Sequence, residues 1–167
     1  AVTHAQRLIS DGMIGRITGF HGRYDVDNEA DENQPYSWRL SRERSGTGAI
    51  ADILSHLLSV AHFITGSEVK DVVADIDIVH RHRPDPIDSS MSRIVDNDDT
   101  VAALVHFGNG AHGTLGASRV NWGRKCGRRW EVHGSRGTIT HDQERLNELR
   151  LFTAEDDPSI AGFRTIL

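Results

Sequence analysis

Residues 100–119 read TVAALVHFGNGAHGTLGASR. Two alternating runs, Thr100–Phe107 and Ala111–Arg119, flank Gly108-Asn109-Gly110. Asn-Gly between such runs marks a hairpin, because both residues tolerate the positive φ that a tight reversal demands. A second hairpin follows, with Arg128–His133 and Gly137–His141 on either side of Gly134-Ser-Arg-Gly137.

Working outward, Val69–His82 (VKDVVADIDIVHRH) alternates like a strand and is stopped by Pro84 and Pro86. The β-branched and aromatic content of Ile14–Asp25 predicts another strand, and Leu149–Thr153 adds an edge strand. Helical spacing of apolar residues appears over Ala5–Ser10 and again at about Ala49–Thr65. Between strand and helix, Val26–Gly48 is polar and long, the mark of a functional loop or lid. Strands clustered late with few helices between them predict an α+β fold: a largely antiparallel open sheet with helices packed on one face. There is no GxGxxG after a strand, so no dinucleotide-binding half is visible.

The chain has 167 residues, one domain's worth, with 37% hydrophobic and 26% charged residues, as expected for a globular protein. A net charge of −5 argues against a nucleic-acid partner, which needs a basic surface. The single cysteine, Cys126, has no partner for an internal disulfide, so a reducing, cytoplasmic location is expected. No run approaches the roughly 20 apolar residues of a membrane span, and no membrane partner is expected. The chain starts without Met and ends at GFRTIL, which suggests a piece of a longer protein.

The predicted helix contains the unusual chemistry. In GTGAIADILSHLLSVAHFITG (residues 46–66), Asp52 is the only formally charged residue. In α-helical geometry His56 lies within about 40° of it, one turn on. Ser55, Ser59 and His62 complete a polar face without Lys or Glu, while Ile53, Leu54, Leu57, Leu58, Ala61 and Ile64 fill the other side. An ordinary solvated face carries long, charged side chains; short polar groups suit a surface covered by a ligand or another domain. Asp52 and His56 together point to proton transfer. The glycines of Ser45-Gly-Thr-Gly48 would let an anion approach the helix start.

Other readings compete. Asp52 and His56 are an exposed pair if the chain is a non-enzymatic α+β interaction module. His80 and His82, two apart on one strand, could join Asp96, Asp98 or Asp99 in a metal-dependent hydrolase, although no third ligand is set by spacing. Ser118-Arg119 sits at a strand end, where a site contact and a salt bridge are equally reasonable. Tyr24 and His133 belong to no constellation.

Several stretches in order carry a resemblance: GMIGRITGF, Trp38-Arg39, GTGAIADILSH, ITGSEVKDVVA, VDNDDTVAALVHFGNGAHGTLGASR and EVHGSRGTITHDQERLNEL. The set resembles the C-terminal domain of the glucose–fructose oxidoreductase/inositol dehydrogenase (Gfo/Idh/MocA) family from about Ala5 to the last residue. The resemblance implies a two-domain oxidoreductase using NAD or NADP on a sugar, inositol or related polyol. An N-terminal Rossmann domain with GxGxxG and a Glu-Lys-Pro lysine would precede this chain, which alone would be inactive. It implies that His56 is the acid/base, that Asp52 binds or orients beside the lysine, and that Trp38 and Arg39 reach the cofactor. Leu54 stands where the family has a small residue. A homo-oligomer through the open sheet face is also implied.

Overall fold

A computed structural model describes residues 1–166. Eight strands form the main sheet: β1 (Ile17–Asp25), β2 (Val69–Asp77), β5 (Thr100–Phe107), β6 (His112–Ser118), β7 (Gly127–Gly134), β8 (Gly137–Asp142), β9 (Leu149–Thr153) and β10 (Arg164–Ile166). Their order is β10-β9-β8-β7-β1-β6-β5-β2. A separate pair, β3 (His82–Pro84) and β4 (Ser92–Ile94), lies outside it. The helices are α1 (Val2–Ser10), α2 (Arg42–Ser45) and α3 (Ser55–Thr65).

Both predicted hairpins form. In the first, Gly110 has φ 85° and Asn109 Oδ1 accepts from the Ala111 amide. The alternation of β5 then decides its faces: Val101, Ala103, Val105 and Phe107 are buried, while Ala102, Leu104 and His106 are exposed. The fold is α+β and mostly antiparallel, as expected.

One pairing departs from that pattern. β1 is inserted between β7 and β6, antiparallel to the first and parallel to the second. Three further differences concern boundaries. Strand pairing of β2 stops at Asp77, so His80 and His82 do not share a strand. Leu149–Thr153 is an inner strand, because β10 pairs outside it. The main helix opens with a π turn, Ile50–Leu54, before α3.

All the larger helices lie on one side. Ala5 of α1 and Ile53, Leu57, Ala61 and Ile64 of the main helix pack on Phe20, Val105, Leu115, Trp130 and Val132 of the sheet. Phe20, Trp130 and His141 form a stacked aromatic floor, with successive ring centroids 6.3 and 5.4 Å apart. Gly66, at φ 63°, closes the helix in the left-handed conformation. By length and composition, Arg42–Thr65 is long and apolar enough to cross a bilayer, although polar residues interrupt it. In the fold Ile53, Leu54, Leu57, Val60, Ala61 and Ile64 of this segment enter the core, while Phe63 stays exposed.

Candidate active site

Asp52 lies in the π turn and His56 in the first turn of α3; both are exposed. Extra-wide turns of this kind are frequent at functional sites. Here the turn changes the expected partnership. Asp52 pairs with Arg39, whose Nη1 donates to both carboxylate oxygens at 3.4 Å. Among the described residues, no hydrogen bond or ion pair links Asp52 to His56. The His56 ring faces Tyr24 on β1, with ring centroids 6.4 Å apart.

Trp38 and Arg39 come from a 3₁₀ turn, Trp38–Leu40, inside the long polar segment. The Trp38 side chain is 53% exposed, and the Arg39 guanidinium lies 5.0 Å from its ring centre. Trp38, Arg39, Thr47, Gly48, Asp52 and Arg119 line a cavity of about 190 Å³. The fold therefore brings three of the four candidate residues around one small hollow, with His56 one helical turn away.

What holds the hollow in shape is the run Asn97-Asp98-Asp99, all buried. Asn97 Nδ2 donates to the Arg39 carbonyl at 2.7 Å. Asp98 accepts from the Gly48 and Ile50 amides, both at 2.8 Å. Asp99 Oδ1 accepts from Arg119 Nε at 2.7 Å, and Oδ2 accepts from the His80 amide. Arg119 also donates to Asn97 Oδ1. These carboxylates are therefore structural, and no metal-holding group of His, Cys, Asp or Glu occurs among the described residues. Asp98 likewise occupies the helix start where a ligand anion was expected. Gly48 is required there by space, since a Cβ would strike the Asp98 carbonyl and approach Arg119 Nη1 at 2.7 Å.

The segment of residues 26–48 is similarly tied down. Arg83, fully buried on β3, donates to the carbonyls of Glu29 and Asp31. The Tyr36 amide donates to the Pro84 carbonyl. Burial pushes the Glu29 carboxyl above its usual range, opposed by the Arg119 and Arg83 charges.

The profile of the family described as the GFO/IDH/MocA C-terminal domain matches residues 2–140. The chain belongs to that family. Its GFO/IDH/MocA domain is 34% identical to levoglucosan dehydrogenase of Pseudarthrobacter phenanthrenivorans, over 99% of this chain and 45% of that protein. An NAD binding oxidoreductase from Klebsiella pneumoniae superposes with a TM-score of 0.93 at 41% identity, over 98% of this chain and 43% of that one. A levoglucosan dehydrogenase in complex with NADH and L-sorbose gives 0.91 at 37% identity, over 97% and 42%. The GFO/IDH/MocA domain thus spans less than half the length of these relatives.

A concavity of about 610 Å³ lies on the other face of the sheet, lined in part by Val73, Leu104, Thr114 and His21. Beside the Asp52 site, Tyr24, Arg128, Cys126 and Gln143 form a cluster that sequence spacing did not reveal. Its members come from β1, the strand-7 region and a 3₁₀ turn; the register of Tyr24 opposite Arg128 and the shared hydrogen bonds of Tyr24 and Gln143 to Cys126 bring them together.

Proposed function

We propose that this chain is the substrate domain of an NAD-dependent dehydrogenase that oxidises a hydroxyl of a sugar or related polyol. An upstream Rossmann domain would complete the enzyme. The observation that carries this is the grouping of Asp52, Arg39 and Trp38 at one hollow beside His56, in a chain whose relatives include an NADH- and L-sorbose-bound dehydrogenase.

Trp38 and Arg39 are suited to the cofactor. An exposed indole matches a planar ring, and a guanidinium matches phosphate oxygens. With the cofactor bound, hydride from the carbinol carbon passes to the nicotinamide. His56 takes the hydroxyl proton as the carbonyl forms. Asp52, held by Arg39, orients the hydroxyl from the same side, and the upstream lysine polarises its oxygen. A face without long charged side chains leaves room for cofactor and sugar together.

The open sheet face offers a second contact. Val73 and Leu104 are 73% and 63% exposed there. We assign that face to association with a second copy of the protein.

The test of the catalytic assignment is steady-state kinetics of the intact enzyme. His56→Ala should lower kcat by about 10²–10⁴-fold, the usual contribution of a general base, with little change in KM for NAD. Unchanged turnover would remove His56 from the chemistry.

A further inference from the structure

Tyr24 and Arg128 stand directly opposite each other on β1 and β7. They project on the helix-covered side of the sheet, beyond the aromatic floor and next to His56. The Arg128 guanidinium lies 5.8 Å from the centre of the Tyr24 ring, and that ring is 6.4 Å from His56. Tyr24 Oη meets Cys126 Sγ at 3.3 Å, and Gln143 Nε2 donates to the same sulfur at 2.9 Å. The phenol is thereby fixed in direction. Its hydrogen bond to Cys126, then burial, hold its pKa above the ordinary value, against the opposing charge of Arg128. Tyr24 stays a neutral phenol at working pH and leaves the proton-accepting role to His56.

Arg128 is the exceptional member. Neighbouring Arg124 and Arg129 both share Glu144. No acceptor meets the Arg128 guanidinium among the described residues, although it is partly buried. A partly desolvated guanidinium has only donors and needs an oxygen acceptor. The Tyr24 phenol oxygen, bonded to Cys126, keeps acceptor capacity toward a hydroxyl proton. A guanidinium over the ring that carries this acceptor suits the oxygens of a sugar.

We propose that Tyr24 and Arg128 are the substrate-positioning pair of this site, with Arg128 donating to a sugar oxygen and Tyr24 holding both guanidinium and sugar against His56. Cys126 and Gln143 act through Tyr24, as supports that orient its phenol. The inference rests on the dehydrogenase reading above and adds which residues hold the substrate.

The experiment is steady-state kinetics of the intact enzyme with NAD and, separately, levoglucosan and myo-inositol. Arg128→Met should raise the sugar KM about tenfold or more, the scale of one charge-assisted hydrogen bond, and Tyr24→Phe about fivefold, the scale of a neutral one. kcat should stay within about threefold and KM for NAD should not move. Arg128→Lys should recover part of the loss, because it restores a donor but not the planar fork. The double variant should lose less than the product of the singles, since one ring supports the other group. An unchanged sugar KM in both single variants would overturn the proposal, as would a parallel rise in the KM for NAD. His56→Ala separates the two readings: a collapse of kcat there, alongside unchanged KM in the Tyr24 and Arg128 variants, rejects this inference alone. If the wild-type enzyme reduces NAD with none of a wider panel of sugars and inositols, the parent reading fails and this one with it.

Discussion

Asp52 illustrates how a backbone detail redirects a side chain. Its spacing from His56 suggests a carboxylate–imidazole pair, but the π turn and the nearby 3₁₀ turn deliver it to Arg39 instead. The pair is about half exposed at both ends and contributes little stability, so its role is positional. Residue identity and helical spacing made Asp52 and His56 visible in the sequence, whereas Trp38 and Arg39 stood out only through the family resemblance. Tyr24 and Arg128 were invisible because cross-strand register between segments 104 residues apart has no local signature. Two buried or half-buried histidines give a residue-scale prediction. Burial lowers the pKa of His141, and burial followed by the His133 charge lowers that of His21. The unfolded chain takes up these protons near pH 6.5, whereas the fold resists them to lower pH. Stability is therefore complete above about pH 6.5 and falls as pH drops below it. Thermal unfolding at pH 8.0 and 5.5 should show the loss, and His141→Phe should make it smaller. An identical pH dependence in that variant would contradict the assignment.

At the scale of elements, the hairpins were the most legible part of the chain, since turn chemistry and alternation both lie within 20 residues. The helix was legible by its apolar stripe, although its opening π turn was not. That turn follows from long-range bonding, because Asp98 engages the Gly48 and Ile50 amides across 50 and 48 residues. The acidic run that contains Asp98 looked like possible metal chemistry in the sequence; in the fold it is the frame of the site. Asp98→Ala leaves two amides at the helix start without acceptors and should cost about 3 kcal/mol, the scale of losing a charged acceptor. Asp98→Asn, which keeps one oxygen acceptor, should cost less. Chemical denaturation of both variants provides the check, and equal or negligible losses would show that the frame lies elsewhere.

For the whole molecule, helices cover one side of the sheet and leave the other open. One of the cross-strand rows on that open face runs Val73, Leu104, Thr114, His21 and Glu131. This mixture of exposed Leu and Val with polar rims is what a self-associating surface requires. Replacing Leu104 with Arg should shift the intact protein toward monomer in sedimentation velocity without lowering its thermal midpoint appreciably. A monomeric wild type, or a variant with unchanged mass, would remove the sheet face as the contact.

The helix-covered side must meet the proposed upstream domain if Asp52 and His56 are to work on a hydride donor. A crystal structure of the intact protein with NADH and a bound sugar tests this most directly. A ring nitrogen of His56 should lie about 2.6–3.2 Å from the oxidised hydroxyl, with that carbon facing the nicotinamide and Arg39 near the cofactor. A cofactor bound elsewhere, with His56 turned to solvent, would contradict the account.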